Sequence, residues 1–529
     1  MAVNVYHSRA AIGPSHLNTK NMFSQDIFTD NFNNAFSVVL ALCVALSTLF
    51  TIALLALPSQ YDPYKDQPLS LVDSEGGEMK TKTRGDEKPT VWKQGKTVQV
   101  VVLGDIGRSP RMQYHALSIA KHGGRVFLVG YQGNISPSFA QAFLLIQTID
   151  SEIHPDIIFN PLIHIVPLVP APNCLRSSSK LLFPILAPLK ALWQAHSLYR
   201  ALGYRSEPAK WMLVQNPPSI PTLAIAAVIC FLRNTGLVID WHNFGYSILA
   251  LKLGNSHPLV TISALYEKLF AKAATHHFTV TNAMTRVLRD DYRVTAQALH
   301  DRPASIFRPI NTDERASFLA RLPETAQYAQ DLSPSSQTPW KLIVSATSWT
   351  ADEDFALLLD ALCAYSAEAT SKTWLPKILA IITGKGPQKD LYLNKIKTLN
   401  QEKKLLNVLV QTAWLTPGDY ALLLASADLG ISLHTSSSGV DLPMKVVDMF
   451  GAGLPVLGWG EFEAWPELVK EGVNGMGFDS SRQLVEQLIT LFGPDTGLRK
   501  KLKEGALVES EYRWDQEWDR VGGNLFQLT

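Results

Sequence analysis

The chain has 529 residues, 46% of them hydrophobic, more than one compact domain normally holds. Lys and Arg number 48 against 47 Asp and Glu, a net charge of +1, so nothing in the bulk electrostatics suggests a long polyanion and no nucleic-acid partner is expected. With 32 Gly and 31 Pro the chain is neither collagen-like nor wholly disordered, and a mean hydropathy of +0.04 excludes a polytopic membrane protein.

In chain order, residues 1–35 are mixed in character, and 36–57, FSVVLALCVALSTLFTIALLAL, are 22 residues without a charge. A helix of that length covers a hydrocarbon core roughly 30 Å thick, which predicts one transmembrane helix. A cleaved leader would have a shorter apolar part after a basic start. Arg9 and Lys20 precede the run, whereas Lys65, Lys80, Lys82, Arg84, Lys88, Lys93 and Lys96 follow it. The positive-inside rule then makes 1–35 lumenal and the large C-terminal body cytosolic. Residues 58–96, polar and punctuated by Pro and Gly, read as a linker. The cysteines, Cys43, Cys174, Cys230 and Cys363, lie far apart with no C-x-x-C pair, which argues against structural zinc or a disulfide scaffold.

From Val98 the chain alternates short apolar runs with helical stretches. VQVVVLG (98–104), RVFLVG (125–130), DIIFNP (156–161), WMLVQNPP (211–218) and LVIDWHN (237–243) are predicted strands, and 222–234 is a predicted helix. A break over 313–340 precedes a second series at 341–347, 377–384, 407–412, 428–434 and 454–459. The fold class is therefore α/β, two doubly wound Rossmann-like domains facing a cleft: 97–312 first, 313–340 as connection, 341–500 second, and 501–529 as a C-terminal helical segment. Ligands of open α/β sheets bind outside the carboxyl ends of the strands, so function is expected in that cleft. The apolar, proline-broken segment 181–193 reads either as a loop resting on a membrane surface or as ordinary core.

After the first strand, GDIGRSPR offers Gly107, Arg108, Ser109 and Arg111 around a helix start, with Ser109 as N-cap before Pro110. Helix amides and two guanidinium groups there suit phosphate or diphosphate. In the second half, Ser436, Ser437, Ser438 and Gly439 precede a helix and could hold a diphosphate. Asp441, Lys445 and Asp448 are spaced to share one helix face. A surface ion pair between Asp441 and Lys445 is the bland alternative. Lys385 and Gly386 in TGKGP, and Trp414 in AWLTPGD, add phosphate and base contacts, while GKG lacks the spacing of a phosphate-binding ATPase loop. No D-x-D cluster for a protein-bound metal is evident.

The strings GDIGRSPRMQYHALS, VIDWHNFGYSI, FTVTNAM, SWTADEDFALLLDAL, ITGKGP and HTSSSGVDLPMKVVDMFGAGLPV together resemble the eukaryotic chitobiosyldiphosphodolichol β-mannosyltransferases from about Val98 to Phe478. The resemblance implies a GT-B fold, with 97–312 binding the acceptor and 341–500 the donor. It implies GDP-mannose as donor, dolichyl-diphosphate chitobiose as acceptor, inversion at the anomeric carbon, and work on the cytosolic face of the endoplasmic reticulum membrane. No tightly bound cofactor is expected, only a free Mg2+ or Mn2+ accompanying GDP, and other dolichol-pathway mannosyltransferases are expected partners. Many GT-B enzymes carry two glutamates eight positions apart in the donor helix. Here Asp448 falls at the second position and Val440 at the first, with Asp441 one residue out of register.

Inversion requires a general base, for which Asp105, Asp240 and His242 are candidates at strand ends, with Asn243 and Tyr246 placed to hold sugar hydroxyls. A retaining α-mannosyltransferase of the same fold and a non-catalytic, membrane-tethered scaffold are the competing readings; two anion sites facing one cleft argue against the scaffold.

Overall fold

The computed structural model describes residues 97–132, 153–176, 183–337, 340–350 and 353–526, with Val44, Ala45, Ser47, Thr48 and Leu49 in helix near the N-terminus. Among the described residues no helix is long and apolar enough to cross a membrane. Apart from those five residues the predicted spanning helix 36–57 lies outside the described residues, as do 1–35 and the linker 58–96.

The first sheet has seven parallel strands: β1 Thr97–Asp105, β2 Arg125–Tyr131, β3 Ile163–Pro167, β4 Trp211–Asn216, β5 Gly236–Trp241, β6 His276–Thr279 and β7 Gln297–Ala298, in the order β3-β2-β1-β4-β5-β6-β7. The second has six: β8 Lys341–Ala346, β9 Ile378–Thr383, β10 Val408–Ala413, β11 Leu429–Ser432, β12 Val456–Trp459 and β13 Gly475–Phe478, in the order β10-β9-β8-β11-β12-β13. Strand order reverses between β1 and β4 in one sheet and between β8 and β11 in the other, and the crevice of an open α/β sheet opens at such a point. The Val-rich runs read as strands because both faces are covered: Val98, Val100 and Val102 pack against Met112, Ala116 and Ile119 of the helix Pro110–Lys121.

The structure corrects three local expectations. Residues 156–161 are not a strand: Pro155 opens a short helix, Pro155–Phe159, and β3 begins at Ile163. Within segment 181–193, residues 183–193 are helical rather than a loop, because Pro188 is absorbed inside the helix Phe183–Tyr204. The boundary at 500 cuts the helix Gly497–Glu509, whose Leu502 belongs to the second core. The chain then returns, and Trp514, Trp518, Val521 and Phe526 fill the first core. The Trp518 indole donates to His115 Nδ1 at 3.0 Å and Trp514 donates to the Ser118 hydroxyl at 3.0 Å, so neither N–H is left unpaired by burial.

Candidate active site

Arg111 and Arg108 have different fates. Arg111 is 2% exposed; its Nε and Nη2 donate to Asp240 at 2.8 and 2.9 Å, and its Nη1 donates to Asp301 at 2.8 Å and the Leu299 carbonyl at 2.9 Å. Trp514 of the returning chain closes over the guanidinium at 5.4 Å. The expectation that Arg111 grips a diphosphate is therefore corrected: its hydrogen bonds are spent inside the domain. Arg108, one residue before the N-cap, leaves 76% of its side chain exposed, with Nε 4.0 Å from Asp105. Ser109 caps the helix by position only, since its hydroxyl donates back to the Asp105 carbonyl at 3.1 Å. Asp105 accepts from the Gly107 amide at 3.0 Å, so that carboxylate and that amide shape the turn.

Asp240, at the end of β5, is fully buried. Burial works to raise its pKa, but Arg111 and then His242 outweigh it and hold the carboxyl well below the usual range. A fully buried, permanently ionised group that accepts from Arg111 at two atoms does not collect a proton from a substrate, so Asp240 as base is corrected too. His242 hydrogen-bonds through Nε2 to Asp240 Oδ2 at 2.8 Å and keeps 23% of its side chain exposed. With Nε2–H donating to the carboxylate, Nδ1 carries the lone pair that can accept a proton. His115 approaches the same oxygen at 3.3 Å; burial lowers its pKa against the pull of Asp240 and keeps it neutral.

The loops of the two halves meet beside His242. Asn243 Nδ2 donates to the Ser437 hydroxyl at 3.1 Å, Ser247 lies 3.1 Å from the same oxygen, and the Thr281 hydroxyl donates to the Val440 carbonyl at 2.6 Å. Asp441 gathers its own loop, accepting from Ser436 and Ser438 and pairing with His434 at 3.1 Å, while the Gly439 amide donates to Ser436 at 2.7 Å. Gly439 sits at φ +78°, a conformation that suits glycine. The helix after this loop is only Met444–Gly451, so Asp441 precedes it and the predicted shared face does not exist. Lys445 pairs with Glu353 rather than with Asp441. Asp448 lies within electrostatic reach of Asp301, Tyr114 and Tyr420; burial, then the charge of Asp301, pushes its carboxyl up to about 8.

Glu353 was not legible as a site residue. It is 3% exposed, takes the Thr347 hydroxyl at 2.8 Å and the Ser348 hydroxyl at 2.9 Å, and its backbone bridges His434, which ties the loop after β8 to the serine loop after β11. Burial alone would raise its pKa; Lys445 outweighs it and keeps it ionised. Glu267, also missed, is a fully buried carboxylate that accepts from Gly245 N at 2.7 Å, Asn216 at 3.4 Å, Tyr292 at 3.3 Å and Ser219. It holds the loop after β4 and the segment that carries Asn243. Its one sequence signal is that it is the sole carboxylate between Asp240 and Asp290. Tyr246 is half-buried against Phe244, ring centres 5.6 Å apart.

Lys385 and Trp414 come together, the ammonium 3.8 Å from the ring centre, both exposed at the ends of β9 and β10. In the sheet, β9 lies two strands from β11 and β10 three, so this pair stands to one side of the serine loop. Gly384 and Gly386 let this loop pass close to the loop after β8, since a Cβ on either would lie 1.8 Å from a carbonyl oxygen, of Thr347 or of Ser348. Among the described residues no three His, Cys, Asp or Glu side chains gather as a metal site.

Two parallel sheets whose strand-end loops meet, one side carrying a carboxylate-held histidine after β5 and the other a hydroxyl-rich loop after β11 at the switch point, make a GT-B glycosyltransferase architecture. A solved Anabaena HepE in complex with UDP and glucose has the same fold, with TM-score 0.54, 14% identity, and coverage of 81% of this chain and 99% of that one. No family model matches the chain. The chain is 55% identical over 385 residues to a chitobiosyldiphosphodolichol beta-mannosyltransferase of Arthroderma benhamiae, covering 72% of this chain and 85% of the relative. It is 40% identical over 452 residues to the protein of that name in Yarrowia lipolytica, 84% and 89% covered. The chain belongs to the chitobiosyldiphosphodolichol β-mannosyltransferase family.

Proposed function

We propose that this chain transfers mannose from GDP-mannose in β-1,4 linkage to dolichyl-diphosphate chitobiose, with inversion, at the cytosolic face of the endoplasmic reticulum membrane, anchored by residues 36–57. One observation carries the mechanism: His242, held by a buried carboxylate, stands next to Asn243, which bonds Ser437 of the other half. Inversion in a single displacement needs a base on the acceptor side and anion stabilisation on the donor side, which is this juxtaposition. His242 Nδ1 takes the acceptor hydroxyl proton as that oxygen bonds to C1 of the mannose and the bond from C1 to the diphosphate breaks. Negative charge that develops on the departing GDP is met by the serine loop and Lys445, with Lys385 and Trp414 further along the nucleotide; Arg108 meets the diphosphate of the lipid acceptor. A free Mg2+ or Mn2+ accompanying GDP would neutralise part of its phosphate charge. The test is membranes containing the protein, supplied with radiolabelled GDP-mannose and phytanyl-diphosphate chitobiose. A labelled trisaccharide lipid with a β anomeric signal by NMR is expected; no product, or an α product, rejects the proposal.

A further inference from the structure

The chain's near-neutral charge conceals an asymmetry. Residues 157–289 contain 12 Lys and Arg but only three carboxylates, Glu207, Asp240 and Glu267, a balance of +9, which leaves −8 (36 against 44) for the rest. None of the three is an exposed negative charge: Asp240 and Glu267 are fully buried, and half-buried Glu207 is paired with Arg125 at 2.7 Å.

Within this stretch the helix Pro258–Ala271 is inside out. Its buried face is Val260, Ser263, Glu267 and Ala271, and its outward face is Leu259, Ile262, Leu265 and Leu269, the last three 55%, 62% and 65% exposed. A helix on a water-facing surface has the opposite arrangement, with the polar stripe outside. Lys252 and Lys272 stand exposed beside the stripe. The helix packs on Gly245–Leu253, whose exposed Leu251 extends the apolar surface and whose first turn carries Ser247, bonded to Ser437 in the cleft. The apolar surface is therefore continuous, through one helix, with the mouth of the candidate active site.

We propose that the outward stripe of Pro258–Ala271 and Leu251 rests in the interfacial layer of an anionic lipid bilayer, which brings the cleft to the headgroup of its lipid-linked acceptor. This deepens the functional reading and rests on it for the identity of the acceptor. Aliphatic side chains flanked by lysines are what an anionic interface attracts, and the exposed acids nearest in sequence, Asp290 and Asp291, follow the segment rather than lie on the stripe. A second copy of the chain fits poorly, since a two-fold contact would press two +9 segments together.

The test uses the full chain in vesicles of phosphatidylcholine and phosphatidylserine, with photoreactive benzoylphenylalanine at position 265 or, as control, at exposed position 406 in the other half. Lipid adducts by mass spectrometry at 265 and not at 406 are expected. Adducts to a second chain or to another protein, or none, overturn the proposal. In parallel, the combined variant Ile262→Glu, Leu265→Glu, Leu269→Glu should lose on the order of tenfold activity on vesicle-embedded acceptor while turnover of a short, water-soluble diphosphate acceptor is unchanged. Equal loss on both acceptors overturns the surface assignment, whereas a wild-type chain that uses neither acceptor overturns the functional reading instead.

Discussion

Arg108 and Arg111 stand three positions apart and are chemically identical, so replacing each by Met separates burial from ligand contact. In Arg111→Met the carboxylates of Asp240 and Asp301 lose the guanidinium that holds them at 2.8 Å. Removing one partner of a buried pair costs about 3–5 kcal/mol, on the order of 10 °C in Tm for a lobe of this size. Asp240 is held below its ordinary pKa, so its contribution is in place above the unfolded value, near pH 4, and is lost as pH falls through the lower folded value. Measurements at pH 7 therefore sample it in full. Arg108→Met removes an exposed side chain and should move stability by no more than about 0.5 kcal/mol. Loss of a charge-assisted bond to phosphate, about 1.5–3 kcal/mol, should raise the KM for the lipid acceptor roughly 10- to 100-fold. Thermal unfolding gives the first quantity, and initial rates well below either Tm give the second. If Arg111→Met unfolds within about 1 kcal/mol of wild type yet binds acceptor poorly, the buried assignment is refuted.

Replacing His242 by Gln should cut kcat by about 100-fold or more with Tm unchanged, and a variant that keeps a tenth of wild-type kcat would remove His242 as the base. His300 lies between Glu467 and Glu517, which raise its pKa to about 9 against the opposing effect of burial. The stability it adds is complete below the unfolded value near 6.5 and fades as pH rises through 9, so His300→Gln should lower Tm at pH 6 and leave it unchanged at pH 10; an equal shift at both would mean the effect is steric. For Asp448, raised to about 8, protonated folding is favoured, and Asp448→Asn should match wild type near pH 4 and gain up to about 1.4 kcal/mol per pH unit towards pH 8 in urea titrations; a pH-independent difference contradicts the burial argument. Gly384→Ala puts a Cβ 1.8 Å from the Thr347 oxygen at φ +124°, so its urea midpoint should fall by the equivalent of about 1–3 kcal/mol, and an unchanged midpoint would show that the loop yields.

Both sheets were legible because parallel strands covered on two faces must be continuous apolar runs, as in VQVVVLG and KILAIITG. Where a strand is short and half polar, as in β6 (HHFT) and β7 (QA), that signal is weak. At 156–161 it misled, because an apolar run behind a proline at N1 also makes a helix turn.

The site divided differently. Asn243 and Ser437, each just past a strand end, meet in a hydrogen bond, since the carboxyl ends of parallel strands in two facing sheets open on the same crevice. Charged partners could not be read the same way. Arg111 is buried because residue 514 returns over it, and Lys445 faces Glu353 because β8 and β11 are neighbours. Neither pairing leaves a period in the sequence, and helical spacing assigned Asp441, Lys445 and Asp448 to one face although the helix starts only at Met444. In a two-sheet enzyme, then, residue type and strand end predict which groups reach the cleft, but only the long-range packing decides which of them keep a hydrogen bond to spend on substrate. The burial of Asp240 beneath His242 illustrates the consequence. Asp240, a carboxylate the sequence offers as base, is one the fold has already committed, and the histidine beside it gains its orientation from that commitment.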